Sequence, residues 1–221
     1  MRIGLFGGTF NPIHSGHLQV IQEVQAGFAL DKIYLIPAAL PPHKEHNRVV
    51  GAKNRIAMTR LAVADYPDFL VSDIELKRAG PSYTIDTVHH FKSILPENTV
   101  LYLIMGLDAF LEVDTWKSYT KLFRLIPFIV MSRPGPGCND APLRWKTLEE
   151  YLKSRISDGY QFSPSRLCYV HDQKQPIFTF KVTPIDISST KIRILISQGQ
   201  PVRSLVPEKV EGFIKAKGLY Q

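Results

Sequence analysis

Cysteine is scarce in this chain: Cys138 and Cys168 are the only two among 221 residues. They lie far apart, and a chain of this length buries a core without a covalent staple, so no structural disulfide is expected. No C-x2–4-C run is paired with H-x3–5-H, which leaves out a zinc finger. No apolar run approaches the roughly 20 residues that cross a bilayer. No signal-peptide pattern precedes the apolar run that starts after Arg2, and we expect a cytoplasmic protein with no membrane partner. The G-x-x-x-x-G-K-[ST] phosphate loop is missing, and so are the three spaced glycines of the dinucleotide fingerprint. Acidic residues are outnumbered, 20 against 27 Lys and Arg, for a formal charge of +7. The basic residues are scattered and form no basic-aromatic stripe. A small polyanion therefore suits the charge better than a nucleic acid.

What the chain does contain is a regular alternation. "RIGLF", "KIYLIP", "FLVSDIEL", "VLYLIM" and "PFIVMSRPG" read as buried strands. Between them "LQVIQEVQAGFAL", "KNRIAMTRLAVAD" and "IDTVHHFKSIL" carry apolar residues at helical spacing. The pattern predicts an α/β fold: a Rossmann-like, doubly wound, mostly parallel sheet with helices on both faces, as one domain over residues 1–221. Such sheets bind ligands at the carboxyl ends of their strands. The loops "GGTFNPIH", "PPHK" and "GLD" all fall there. From Pro134 to Gln175 the reading is looser, with "LRWKTLEEYLKSRI" as a helix and "SRPGPGCNDAP" and "HDQKQP" as exposed loops. The C-terminal third reads as a strand, a helix opened by a Ser/Thr cluster and ended near Gly199, then a last amphipathic helix.

Two stretches carry the chemistry. In "GGTFNPIHSGHL" a helix starting near Ser15 or Gly16 presents N–H groups and a positive dipole end to an anion. His14 would precede that helix and His17 would sit in its first turn, so both rings reach one phosphate group. Imidazoles placed this way stabilise charge that builds on a phosphoryl oxygen. In "ISSTKIR", Ser188, Ser189 and Thr190 open a second helix, with Lys191 and Arg193 in its first turn. Serine and threonine are also ordinary helix caps. Two phosphate-type helix starts on one sheet point to a polyphosphate held between them.

"GGTFNPIHSGH" with "ISSTKIR" resembles the (T/H)-x-G-H and I-S-S-T-x-x-R signatures of the nucleotidylyltransferase superfamily. The further landmarks "PPHK", "RAGPSYTIDTV", "IMGLDAF", "TWKSY", "SRPG" and "LVPEKVEGFI…GLY" occur in an order that looks like the bacterial nicotinate-nucleotide adenylyltransferases, over nearly the whole chain. The resemblance implies transfer of AMP from ATP to nicotinate mononucleotide, giving deamido-NAD and pyrophosphate, with magnesium accompanying ATP and no covalent enzyme intermediate. It further implies that Gly7, Gly8, Thr9, Phe10, His14 and His17 meet ATP, with His17 near the α-phosphoryl group. Ser188, Ser189, Thr190 and Arg193 would hold the outer phosphates, with His14, His17 and Arg193 as the catalytic set. Gly106 and Asp108 would sit against the adenosine. Thr84, Trp116 and Lys117 would define the nicotinate pocket, and His43 and Lys44 would lie over the reacting phosphates and touch the mononucleotide.

One departure stands out. The commoner first motif has aspartate where this chain has Asn11, which keeps the hydrogen-bonding oxygen and loses the charge. Asn11 is therefore read as a residue that fixes the loop. No dedicated metal-ligand set is expected, although Asp108 suits a metal-bound water as well as a sugar hydroxyl or a helix cap. Sibling adenylyltransferases acting on nicotinamide mononucleotide or phosphopantetheine are the rival enzymes, and a non-catalytic nucleotide sensor is the rival of another class. The oligomeric state stays open.

Overall fold

The computed structural model describes residues 1–39, 49–78, 80–132 and 141–221. In chain order the elements begin β1 (Arg2–Gly8), α1 (Ser15–Phe28), β2 (Lys32–Pro37), α2 (Ala52–Ala62), β3 (Phe69–Val71) and α3 (Ile74–Lys77). There follow α4 (Thr84–Ile94), β4 (Val100–Gly106), α5 (Leu107–Phe110), α6 (Tyr119–Leu125), β5 (Phe128–Ser132) and α7 (Ala141–Tyr151). The last are β6 (Gln161–Ser163), β7 (Cys168–His171), β8 (Lys174–Lys181), α8 (Ser189–Ser197) and α9 (Glu208–Ala216). Eight strands form one sheet in the order β3-β2-β1-β4-β5-β8-β7-β6. A mostly parallel sheet with flanking helices is the Rossmann-like arrangement expected from the alternation. No helix among the described residues is long and apolar enough to cross a membrane.

Two compact units divide the chain: Met1–Leu5 with Tyr83–Pro184, and Phe6–Ser82 with Ile185–Gln221. In the second of these, β2 runs parallel to β3 with Ile33 beside Phe69 and Leu35 beside Val71. Helix α1 buries Leu18, Ile21 and Val24 at spacings of three residues, which makes one apolar stripe. It stops at Ala29, which takes a left-handed conformation with φ 46°. Val210 and Ile214 are the buried apolar residues of α9.

In the first unit β4, β5 and β8 are parallel neighbours. Every residue of β5 is buried, as befits a strand covered on both faces. Phe110, Phe123, Phe128 and Tyr160 form an aromatic core, with Phe123 and Phe128 stacked at 4.7 Å between ring centroids. β7 lies antiparallel to both β6 and β8.

Three local readings differ. "FLVSDIEL" ends its strand at Val71 and turns into the short α3. Only Asp172 and Gln173 of "HDQKQP" form an exposed turn, joining β7 to β8 with His171 opposite Lys174, and the rest of the stretch belongs to those strands. Its polarity concealed the two strands it connects. The helix of "LRWKTLEEYLKSRI" closes in a wider π-type turn over Leu152–Ile156. Cys168 is buried and free, while Cys138 lies outside the described residues.

Candidate active site

The loop after β1 is built around Phe10, which is 2% exposed and adopts a positive φ of 47°. Its ring lies over Gly8, where an added Cβ would stand 2.8 Å from the ring carbons. Gly8 thus makes room for Phe10. The Phe10 ring meets His17 edge-on at 5.2 Å, and Phe6 flanks both. His17 in turn stacks on His14 with 3.7 Å between centroids and 30° between planes.

The pairing of the histidines follows from the helix start. His14 is the N-cap of α1 and His17 its third residue, one turn on. The backbone N–H of His14 donates to Nδ1 of His17 at 3.3 Å. That bond assigns the proton of a neutral His17 ring to Nε2, the opposite edge. Between them stands Gly16, where a Cβ would come 3.1 Å from Nδ1 of His14. The glycine therefore lets the buried His14 ring settle over the first turn.

The second helix start is joined to the same loop. Ser188 caps α8 by accepting from the Lys191 N–H at 3.2 Å, so it acts as the ordinary cap that its position allowed. Ser189 donates its hydroxyl to the Pro12 carbonyl at 2.8 Å. Arg193 donates from Nη1 to the Asn11 carbonyl at 2.8 Å and from Nη2 to Thr190 Oγ1 at 3.2 Å. Within this unit the structure brings together Gly7, Gly8, Thr9, Phe10, His14 and His17 with Ser188, Ser189, Thr190 and Arg193. The start of α1 is less open than the sequence suggests, because the Ser15 N–H donates to the Leu205 carbonyl at 2.9 Å.

Arg55 was not legible as a site residue. Only 1% exposed, it donates to three backbone carbonyls: Thr9 at 2.7 Å, Val50 at 3.0 Å and Ala39 at 3.1 Å. Burial pulls its pKa down, and the fields of Tyr220 and Glu75 oppose that shift. A signal did exist. Arg55 shares a face of α2 with buried Thr59 and Ala62, where an apolar residue is the rule. Asn11 completes the loop's anchorage, its Oδ1 accepting from the Val50 N–H at 3.2 Å and from the Tyr220 hydroxyl at 2.9 Å. This is the loop-fixing part read from its amide. Burial pushes the Tyr220 phenol well above its ordinary range, so its hydroxyl stays protonated and donates.

Thr84, Gly106, Asp108, Trp116 and Lys117 lie in the first unit. Gly106 caps α5, and Asp108 is exposed in its first turn. Thr84 opens α4, and Lys117 reaches the same helix start. Its ammonium sits 3.1 Å from Asp86 Oδ2 and 4.5 Å above the Tyr83 ring. "PSYT" and "TWKSY" are thereby brought side by side, with Trp116 half-buried at the end of a turn over Val113–Thr115. Tyr151 of α7 holds that turn: its hydroxyl donates to Asp114 Oδ1 at 2.7 Å and accepts from the Asp114 N–H at 3.0 Å. Part of the stretch between Pro134 and Gln175 thus supports the Trp116 loop. His43 and Lys44 lie outside the described residues. A cavity of about 450 Å3 near Gln19, Tyr66 and Lys209 includes none of the predicted site residues.

Arg193→Lys is expected to raise the KM for ATP about tenfold with a smaller change in kcat. Lysine lacks the planar fork that spans Asn11 and Thr190, and a lost bond of a charged donor is worth about 1.5 kcal/mol. Steady-state kinetics with ATP varied is the check, and an unchanged KM would reduce Arg193 to a helix residue.

Known proteins match this arrangement along the whole chain. The cytidylyltransferase-like family matches residues 5–194. A protein of Desulfatibacillum aliphaticivorans named "Probable nicotinate-nucleotide adenylyltransferase" is 42% identical over the full length of both chains. One of the same name from Syntrophotalea carbinolica is 39% identical over all of this chain and 98% of its own. A solved Plasmodium falciparum nicotinic acid mononucleotide adenylyltransferase, complexed with NaAD, shares the fold. Its TM-score is 0.72 at 15% identity, over 99% of this chain and 97% of its own. The motifs, the fold and these full-length matches agree: the chain belongs to the nicotinate-nucleotide adenylyltransferases of the cytidylyltransferase-like superfamily.

Proposed function

We propose that the paired histidines and the α8 start act together on the phosphates of ATP while AMP passes to nicotinate mononucleotide. As a nicotinate-nucleotide adenylyltransferase, the enzyme makes deamido-NAD. One observation carries the assignment of roles: two helix starts, one bearing His14 and His17 and the other Arg193, grip a single loop within one unit.

In this reading the phosphate oxygen of nicotinate mononucleotide attacks the α-phosphorus of ATP. The bond from that phosphorus to the oxygen bridging to the β-phosphate breaks, and pyrophosphate leaves with the electron pair. The attacking phosphate is already anionic at neutral pH, so alignment and charge neutralisation suffice and no strong general base is needed. His17 offers Nε2–H to the charge that builds at the α-phosphoryl group, with His14 stacked behind it. Arg193, with the α8 start, neutralises the outer phosphates that depart. The loop's carbonyls at Thr9, Asn11 and Pro12 are all held by the protein.

Magnesium belongs to this reading as the counter-ion of ATP. Imidazoles, hydroxyls, a guanidinium and backbone N–H groups suit an anion and supply no cage for the ion, which typically binds through substrate phosphates and water. Dependence on ATP is consistent with the cytoplasmic location expected from the sequence.

Acceptor choice rests on Thr84, Trp116 and Lys117. Nicotinate differs from nicotinamide by a carboxylate in place of an amide. Donors at the "PSYT" and "TWKSY" loops would satisfy the carboxylate and leave an amide N–H2 facing other donors. A mismatch of that kind costs about 1–3 kcal/mol, and we expect at least roughly tenfold preference for the acid. The test of the function is mass-spectrometric identification of the product from ATP and nicotinate mononucleotide. Deamido-NAD with one pyrophosphate per turnover is the expected result. ATP consumption without a dinucleotide would overturn the assignment.

A further inference from the structure

Tyr220 lies beyond α9, at the end of the terminal "GLY" and 209 residues from Asn11, yet its hydroxyl donates to Asn11 Oδ1 at 2.9 Å. The same oxygen accepts from the Val50 N–H at 3.2 Å. Asn11 is only 4% exposed, so these two donors set the orientation of its side chain. Its backbone carbonyl is the acceptor for Nη1 of Arg193. The neighbouring carbonyl, on Pro12, is the acceptor for Ser189. A direct chain of hydrogen bonds therefore runs from Tyr220 through Asn11 to Arg193. Tyr220 also lies within the electrostatic reach of both Arg55 and Arg193.

We propose that Tyr220 is a positioning residue for the ATP site, holding Asn11 so that Arg193 is presented to the outer phosphates. The inference rests on the reading of Arg193 as a phosphate-binding group. It also explains how asparagine serves at position 11, since the side-chain oxygen is wanted there as an acceptor of two hydrogen bonds. The hydroxyl, rather than the ring, carries this effect. Tyr220→Phe keeps the ring and its packing, and Asn11 Oδ1 retains the Val50 donor, so the fold tolerates the change.

The test is steady-state kinetics of Tyr220→Phe in the full chain, with each substrate varied in turn. The KM for ATP is expected to rise about fivefold, the scale of one neutral hydrogen bond. The kcat and the KM for nicotinate mononucleotide should stay within about twofold of wild type. In an Asn11→Ala background, Tyr220→Phe should change the KM for ATP no further, because the path it acts through is already broken. An unchanged KM for ATP would overturn the proposal. So would equal changes for both substrates together with a lowered Tm, or additive effects in the double variant. A wild-type protein that releases no pyrophosphate would instead contradict the function. In that event the affinity for a non-hydrolysable ATP analogue, measured by calorimetry, still decides whether Tyr220 positions the site by the same fivefold criterion.

Discussion

His17→Ala should lower kcat by about 100-fold or more and leave the fold intact. Loss of a donor aimed at developing oxyanion charge typically costs about 2.7–4 kcal/mol in the transition state. The geometry identifies which edge of the ring matters. Nδ1 already accepts from the His14 backbone, which leaves Nε2–H as the donor that the proposed role requires. His17 is half-buried at the surface of α1, and alanine is an excellent helix former, so the helix survives the substitution. The aromatic contacts to Phe10 and His14 would be lost, which predicts a modest drop in Tm alongside the large kinetic effect. Circular dichroism and the substrate KM values separate the two. Near-wild-type turnover in a folded variant would remove His17 from the mechanism.

Arg55→Met should destabilise the protein by about 2–4 kcal/mol. Methionine fills most of the space but leaves the carbonyls of Thr9, Ala39 and Val50 without their donor. Each buried, unsatisfied group costs about 1–3 kcal/mol. Part of that is offset because a buried charge is also removed. For a chain of this size the change corresponds to a fall in Tm of about 5–15 °C. Because Thr9 belongs to the loop proposed to meet ATP, the KM for ATP should rise with it. A Tm within about 2 °C of wild type and unchanged kinetics would show that water or neighbouring donors replace the guanidinium.

How much of this was legible in the sequence depends on the range of the interaction involved. β2 coincides with "KIYLIP", and α1 begins at Ser15, because apolar periodicity and the residues flanking a helix act locally. The pairing of His14 with His17 was legible for the same reason, since three residues along a helix fix their proximity. The stacking of the rings, and the part Gly16 plays in it, needed coordinates. Arg55 and Tyr220 act 46 and 209 residues away from their loop partners, Thr9 and Asn11, and no local pattern reports such partners. Ser188 shows the opposite limit. Its cap bond is as local as any, yet a cap and a phosphate ligand present the same residue type at the same place. At the turn between β7 and β8, the polar residues of "HDQKQP" suggest an exposed loop over their whole length, when the strands on either side are the informative part.

The charge balance of the site explains why asparagine at position 11 is compatible with activity. Arg55 and Arg193 both approach the loop through backbone carbonyls, and in the proposed reading the charge of Arg193 serves the polyphosphate. A carboxylate at position 11 would accept the same two hydrogen bonds while lowering that positive potential.

The most direct measurement is pyrophosphate release from ATP by the wild-type protein, with nicotinate mononucleotide, nicotinamide mononucleotide and phosphopantetheine compared as acceptors in one assay. The account predicts release with the nicotinate acceptor at a kcat/KM at least roughly tenfold above that for the amide, and none with phosphopantetheine. Equal efficiencies for the acid and the amide, or release that needs neither mononucleotide, would contradict it.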